Sequence, residues 1–300
     1  LAPAVAKTVA RFEIVASGGG VSGTLMGRAR GFRTSTTDTD TVFADPATDL
    51  VVVSTPHNSH AALAARALEA GKAAFVEKPL ALTRADLDAL QRSYDAAAEA
   101  GRSPFLMVGF NRRFSPHVQA LRARLDARSA PPAMVMTVNA GAIPLDHWTQ
   151  DPAQGGGRLI GEACHFVDLA RYLAGAPIAR AQIDGLRPTT GAHGHDTATI
   201  TLGFANGAVA TIHYFANGHK GVAKERIEVF QAGAVYALDN FRRTRAVGDK
   251  GFKTVRSRGQ DKGNAACVAA TIDSLTRGAP APIPAAELFE VSRTVIDLAT

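Results

Sequence analysis

Leu50-Val51-Val52-Val53-Ser54-Thr55-Pro56 and Ala73-Ala74-Phe75-Val76-Glu77-Lys78-Pro79 decide the fold. Each opens with four apolar residues and closes on a polar turn. The segment between them, His60 to Ala70, is rich in Ala and Leu and stops at Gly71, as a helix does. Strand, helix and strand with unbroken apolar runs read as a parallel sheet covered on both faces. The pattern continues outward. Phe12-Glu13-Ile14-Val15-Ala16 runs into Ser17-Gly18-Gly19-Gly20, and Phe105-Leu106-Met107-Val108 into Gly109-Phe110-Asn111. Thr83 is the predicted N-cap of a helix in which Leu87, Leu90 and Tyr94 recur at helical spacing until Gly101. Ligands of such sheets sit beyond the carboxyl ends of the strands. Ser17, Ser54, Thr55, Glu77, Lys78 and Asn111 lie at those ends.

The second half has another character. A helix is predicted from about Pro116 to Arg128, and strands over Met134–Asn139, Thr197–Phe204, Ala208–Phe215 and Arg226–Phe230. These alternate and are rich in Thr, Val and Ile, which suits an antiparallel sheet with one face covered. Asn206-Gly207 is a hairpin signal. Helices are predicted from about Ile160 to Leu173, then around Asn264–Leu275 and Ala285–Leu298. The fold class is therefore α/β, with a first domain over residues 1–115 and an α+β domain with a mostly antiparallel open sheet over 116–300.

Taken alone, Glu77-Lys78 reads as an exposed ion pair and His165 as a satisfied core histidine. Their company changes this. In order come Ser54-Thr55-Pro56-His57-Asn58-Ser59-His60, then Glu77-Lys78-Pro79-Leu80-Ala81-Leu82-Thr83, then Gly109-Phe110-Asn111-Arg112-Arg113-Phe114-Ser115-Pro116, then Gly155-Gly156-Gly157-Arg158-Leu159-Ile160 running on to His165 and Asp168. This succession, over nearly the whole chain, resembles the glucose–fructose oxidoreductase, inositol dehydrogenase and rhizopine-catabolism family (Gfo/Idh/MocA). Asp146-His147-Trp148, Lys224-Glu225-Arg226, Asp239-Asn240-Phe241-Arg242 and Asp261-Lys262-Gly263 look like the branch in which this unit follows a zinc-alcohol-dehydrogenase-like half.

The resemblance implies a Rossmann domain, bound NAD or NADP, and reversible oxidation of a sugar, sugar-acid or cyclitol hydroxyl. It implies a homo-oligomer built through the second-domain sheet. Position by position, it makes Lys78 the contact to the substrate hydroxyl and nicotinamide ribose, and His165 the general acid/base. Ser17, Ser54, Thr55, Pro56, His57, Glu77, Lys78 and Asn111 would line the cofactor, and Arg112, Trp148 and His165 the substrate. Many family members carry Asp four residues before the histidine, where this chain has Gly161. Glu162, three residues before, is the expected substitute, since i and i+3 meet on an α-helix. Two other readings are kept: elimination or glycosidic cleavage by transient oxidation with retained NAD, and a non-catalytic sugar-nucleotide-binding module.

No Gly-x-Gly-x-x-Gly precedes Phe12. Gly18-Gly19-Gly20 stands where a ribose-recognition turn belongs, and Leu1 to Val9 reads as the tail of a helix. The expectation is an incomplete Rossmann domain whose first strand and glycine loop lie upstream of Leu1; a degenerate half-domain is the other reading. An acidic residue at the position of Ser17 would favour NAD. Ser17 is neutral and Arg28 and Arg30 follow, which admits the 2′-phosphate of NADP.

The charge, 33 basic against 27 acidic residues, gives +6 and favours an anionic ligand. The dense run from Arg242 to Lys262 reads as a solvated hairpin or loop, and no nucleic acid is expected. Two cysteines, Cys164 and Cys267, fit a reducing, cytoplasmic setting. His193-Gly194-His195-Asp196 lacks a third clear ligand and reads as a loop, so no metal is expected. No apolar run approaches the roughly 20 residues of a membrane span.

Overall fold

Residues up to Thr55, Ser59–Gly109 and Ala265–Leu288 pack as one unit, and Pro56–Asn58, Phe110–Asn264 and Phe289–Thr300 as another, in the computed structural model. It describes residues 11–17, 20–186 and 196–300. Residues 265–288, read from the sequence as part of the second domain, thus pack with the first, and residues 56–58 with the second.

In the first unit, β1 (Phe12–Ala16), α1 (Gly20–Ala29) and β2 (Phe32–Thr36) form a parallel pair with its crossover helix. After α2 (Asp40–Ala44), β3 (Leu50–Val53), α3 (His60–Glu69), β4 (Ala73–Val76), α4 (Arg84–Glu99) and β5 (Leu106–Val108) build a second parallel sheet in the order β3-β4-β5. β4 and β5 are buried throughout, which explains their unbroken apolar runs. α3 closes on Gly71, whose φ of 72° needs no Cβ. Thr83 caps α4 as expected, its hydroxyl accepting from the Asp86 N–H. β2 was not predicted, because Phe32-Arg33-Thr34-Ser35-Thr36 carries a single large apolar side chain.

In the second unit, α5 (Pro116–Asp126) leads into β6 (Ala133–Asn139), and a helical turn precedes α6 (Cys164–Ala174). β7 (Ile178–Gly185), β8 (Thr197–Phe204), β9 (Val209–Phe215), β10 (Glu225–Gln231), β11 (Ala234–Asp239), β12 (Arg243–Val247) and β13 (Val255–Arg256) follow. The sheet order is β13-β12-β11-β10-β6-β9-β8-β7. Among these pairs, β6 with β9 is parallel and the rest antiparallel. Burial alternates along β6, β8 and β9. Met136, Ile200, Ile212 and Tyr214 face the core, while Thr137, Thr199, Thr211 and His213 lie on the other face. Gly207 turns the β8–β9 hairpin with φ 85°. The basic run forms a hairpin, one of the two forms expected: Arg243–Val247 pairs with β11 on one side and, through Arg243 and Thr244, with the edge strand Val255-Arg256 on the other, and charged side chains at such an edge discourage unwanted pairing. The chain ends with α7 (Asn264–Thr276) and α8 (Ala285–Ala299).

Candidate active site

In the first unit, the polar residues after β3, β4 and β5 gather because parallel strands end on one edge. Glu77 N–H donates to the Val53 carbonyl (2.8 Å) and Gly109 N–H to the Val76 carbonyl (2.8 Å). The three strand ends are thereby in register. A Cβ at Gly109 would lie 2.9 Å from Glu77 Oε2, so the absence of a side chain there is what admits the carboxylate. Lys78 is half-buried beside it, and the Lys78–Pro79 peptide is cis. Ser54 and Thr55 are exposed, and the Thr55 and Ser59 hydroxyls share a hydrogen bond of 2.6 Å. Ser17 follows β1, its N–H donating to the Thr36 carbonyl (3.0 Å). Gly23 of α1 comes close enough that a Cβ would sit 2.5 Å from Ser17 Oγ. Arg28 and Arg30 are exposed.

Buried His60 links two of these turns. Its Nδ1 lies 2.7 Å from the Pro79 carbonyl oxygen and its Nε2 2.9 Å from that of Thr55. Both turns flanking the strand ends are thus fixed to one imidazole. The spacing of His60 gave no signal of this, because the tie is made through backbone oxygens.

In the second unit, His165 is buried on α6, edge-on to Phe110 with centroids 6.2 Å apart. The turn leading into α6, Leu159–Ala163, is π-helical. A π-turn closes i to i+5 and accommodates one extra residue, a feature frequent at functional sites. It also breaks the i, i+3 alignment expected of Glu162 and His165. The Glu162 carboxylate is engaged by three other side chains. Its Oε2 accepts from Arg158 Nη2 (2.8 Å) and Tyr214 Oη (2.5 Å), and its Oε1 from Lys224 Nζ (2.5 Å). Burial is the largest influence on this carboxyl and opposes ionisation. The hydrogen bonds from Arg158, Lys224 and Tyr214 together outweigh it and hold the group at about 2. Tyr214 is pushed above its ordinary range, first by burial and then by the Glu162 charge.

Asn111, Arg112 and Arg113 are all buried. Asn111 Nδ2 donates to the Lys262 carbonyl (2.7 Å). Arg112 gives Nε and Nη2 to the two oxygens of Glu225 (3.0 and 2.9 Å) and lies 4.8 Å over the Phe166 ring. Lys262 Nζ adds a third bond to Glu225 (2.6 Å). Arg113 holds Asp168 through Nε, which donates to both carboxylate oxygens (2.9 Å each), with Nη2 in ion-pair contact at 2.6 Å. Arg112 was expected to reach the substrate, yet its fork is engaged by Glu225. Trp148 keeps 40% of its surface exposed and meets His57 edge-on at 4.8 Å. His57, expected on the cofactor side, packs within the second unit, as does Pro56. His193 and His195 lie outside the described residues. Among the described residues no metal-binding cluster occurs and no helix is long and apolar enough to cross a membrane.

Glu162 also sets a pH expectation. Its folded value lies below its ordinary 4.5, so its contribution to stability is complete above 4.5 and is lost as pH falls toward about 2. Urea midpoints measured across that window should fall steeply for the native chain. Glu162→Gln should begin less stable at neutral pH and fall less steeply; equal slopes would remove Glu162 from the linkage.

Residues 27–110 match the family described as "Oxidoreductase family, NAD-binding Rossmann fold". Residues 118–251 match the "GFO/IDH/MocA C-terminal domain". The chain is 32% identical over 210 residues to an inositol 2-dehydrogenase of Rhizobium meliloti, covering 68% of this chain and 61% of that protein. It is 29% identical over 225 residues to a levoglucosan dehydrogenase of Pseudarthrobacter phenanthrenivorans, covering 64% and 55%. It therefore spans about 60% of the length of such relatives. A levoglucosan dehydrogenase solved with NADH and levoglucosan shares the fold at a TM-score of 0.83 and 22% identity, covering 99% of this chain and 92% of that one. These matches bear on the family, not on a zinc-alcohol-dehydrogenase-like half.

Proposed function

Because the chain belongs to the GFO/IDH/MocA oxidoreductase family, we propose that the protein is an NAD-dependent dehydrogenase of a sugar-like or cyclitol hydroxyl. The observation that carries this reading is Lys78. It stands between Glu77 and Pro79 at the carboxyl end of β4, where the strand ends are drawn level. A nicotinamide cofactor, when bound, accepts the hydride. Ser17, Ser54, Thr55 and Glu77 are the residues to hold it, and the room that Gly109 leaves for Glu77 fits a carboxylate aimed along that edge. Lys78 then holds the substrate hydroxyl, and His165 takes its proton. Trp148 offers a half-exposed apolar ring to the sugar. The names of the relatives point to inositols and anhydrosugars as the first substrates to try.

Ser17 is neutral and Arg28 and Arg30 are near in sequence, so NADP is the competing cofactor. The gene product titrated calorimetrically with NADH and NADPH should bind NADH more tightly. It should also reduce NAD with myo-inositol or levoglucosan present, followed by nicotinamide absorbance. Binding of neither cofactor would overturn the reading. We also take the open face of the eight-stranded sheet as the surface for self-association; a monomeric mass by sedimentation at micromolar concentration would reject it.

A further inference from the structure

His57 sits in a slot made by two glycines. Its Nδ1 is 2.8 Å from the Gly155 carbonyl oxygen, an acceptor, so this nitrogen carries the proton and donates. The next residue repeats the tie, with Asn58 N–H donating to the Gln154 carbonyl (3.2 Å). Behind the ring lies Gly161, where a Cβ would be 3.1 Å from His57 Cε1. A Cβ at Gly155 would fall 2.3 Å from the Thr149 backbone, so that residue too must lack a side chain. Trp148 closes the slot, its ring perpendicular to the imidazole within about twenty degrees (69°). His57 is 8% exposed. The buried ring is thus held on three sides, by the Gly155 carbonyl, Gly161 and Trp148, with its tautomer set by the backbone carbonyl.

What lies along the same helical segment is His165, four residues beyond Gly161. An acidic side chain at 161 would reach over the next turn toward His165. Here glycine stands there, and Glu162 turns its carboxylate to Lys224, Arg158 and Tyr214. We propose that His57 takes the place of a side chain at position 161 and is the positioning residue for His165. It ties the Gly155 turn to the π-helical entry of α6 and supplies a polar ring, in place of a carboxylate, one turn before the acid/base. This rests on the dehydrogenase reading of His165.

The test is a cycle of three variants in the whole chain: His57→Ala, Gly161→Asp and the double. Gly161→Asp alone should be unable to seat its side chain against the imidazole and should melt a few degrees lower, as overpacking of about 1–3 kcal/mol does. In the His57→Ala background the same Asp should enter the vacated slot, and most of that loss should disappear. This thermal coupling is read without any turnover, so it stands apart from whether the protein oxidises sugars. In activity, His57→Ala should lower kcat about a hundredfold with KM for NAD unchanged, as misplacement of a reacting group does. The double variant should recover at least tenfold of it, a coupling of about 1.4 kcal/mol. Additive melting temperatures, with no recovery of kcat, would overturn the proposal. Thermal coupling with no nicotinamide-dependent turnover in the native chain would instead overturn the dehydrogenase reading and keep the slot.

Discussion

Lys78→Met should cut turnover about a thousandfold while leaving the fold intact, the largest functional effect expected of any single substitution in the chain. The side chain is half-buried at the end of β4, beyond the buried Ala73-Ala74-Phe75-Val76. Methionine keeps the length and apolar stem. The positive charge and three donors go. If Lys78 holds the reacting hydroxyl, both orientation and proton handling are lost, and general acid–base groups contribute about 10²- to 10⁴-fold. Initial rates with saturating NAD should therefore fall about a thousandfold, in the middle of that range. The melting temperature should move by no more than a few degrees, since substitutions away from packed cores cost roughly half a kcal/mol. Retention of near-native rates would return Lys78 to the surface ion pair that its sequence neighbours alone describe.

Glu225→Ala gives the largest loss of stability. Glu225 is fully buried and carries Arg112 on two bonds and Lys262 on a third. Burial is again the largest single influence on the carboxyl and raises it, but Arg112 and Lys262 together hold it below the ordinary range. Removing the acid leaves the Arg112 guanidinium, 5% exposed, without its counter-charge. Breaking a buried pair from one side costs about 3–5 kcal/mol. Urea unfolding followed by circular dichroism should show that loss in the midpoint. A midpoint within about 1 kcal/mol of native would mean that water reaches Arg112 in the variant, as at exposed pairs. The acid arm of the stability profile should shift as well, because a depressed carboxyl contributes above its unfolded value and loses that contribution as pH falls through the folded one.

Much of the first unit was legible because buried parallel strands write themselves as apolar runs. Leu50–Val53 and Ala73–Val76 have the strand limits that the residues suggest. The strand ends also gave Ser54, Thr55, Glu77 and Lys78. β2 and β7 escaped because neither alternation nor apolar content marks Phe32–Thr36 or Ile178–Gly185. The candidate site was less legible than its residues. Position 162 looked equivalent to a partner of His165 on the assumption of 3.6 residues per turn, and a π-turn is not written in composition. Arg112, which the resemblance assigns to the substrate, has its acid, Glu225, 113 residues away, beyond any local pattern. Tyr214 gave no signal at all, being one more buried residue on an alternating strand.

The chain passes from one packed unit to the other at 55/56, 58/59, 109/110, 264/265 and 288/289. Its two halves are therefore not modules that a gene can trade by one crossover. A breakpoint near residue 115 would bring a foreign α7 into the first unit and leave residues 56–58 in the wrong parent. Inheritance of a new substrate preference should then come by substitution in place, around Trp148, Gly161 and the short loop after β3, rather than by exchange of a whole half. Chimaeras that respect all five passages should express as folded protein; those joined once should be found in inclusion bodies or digested.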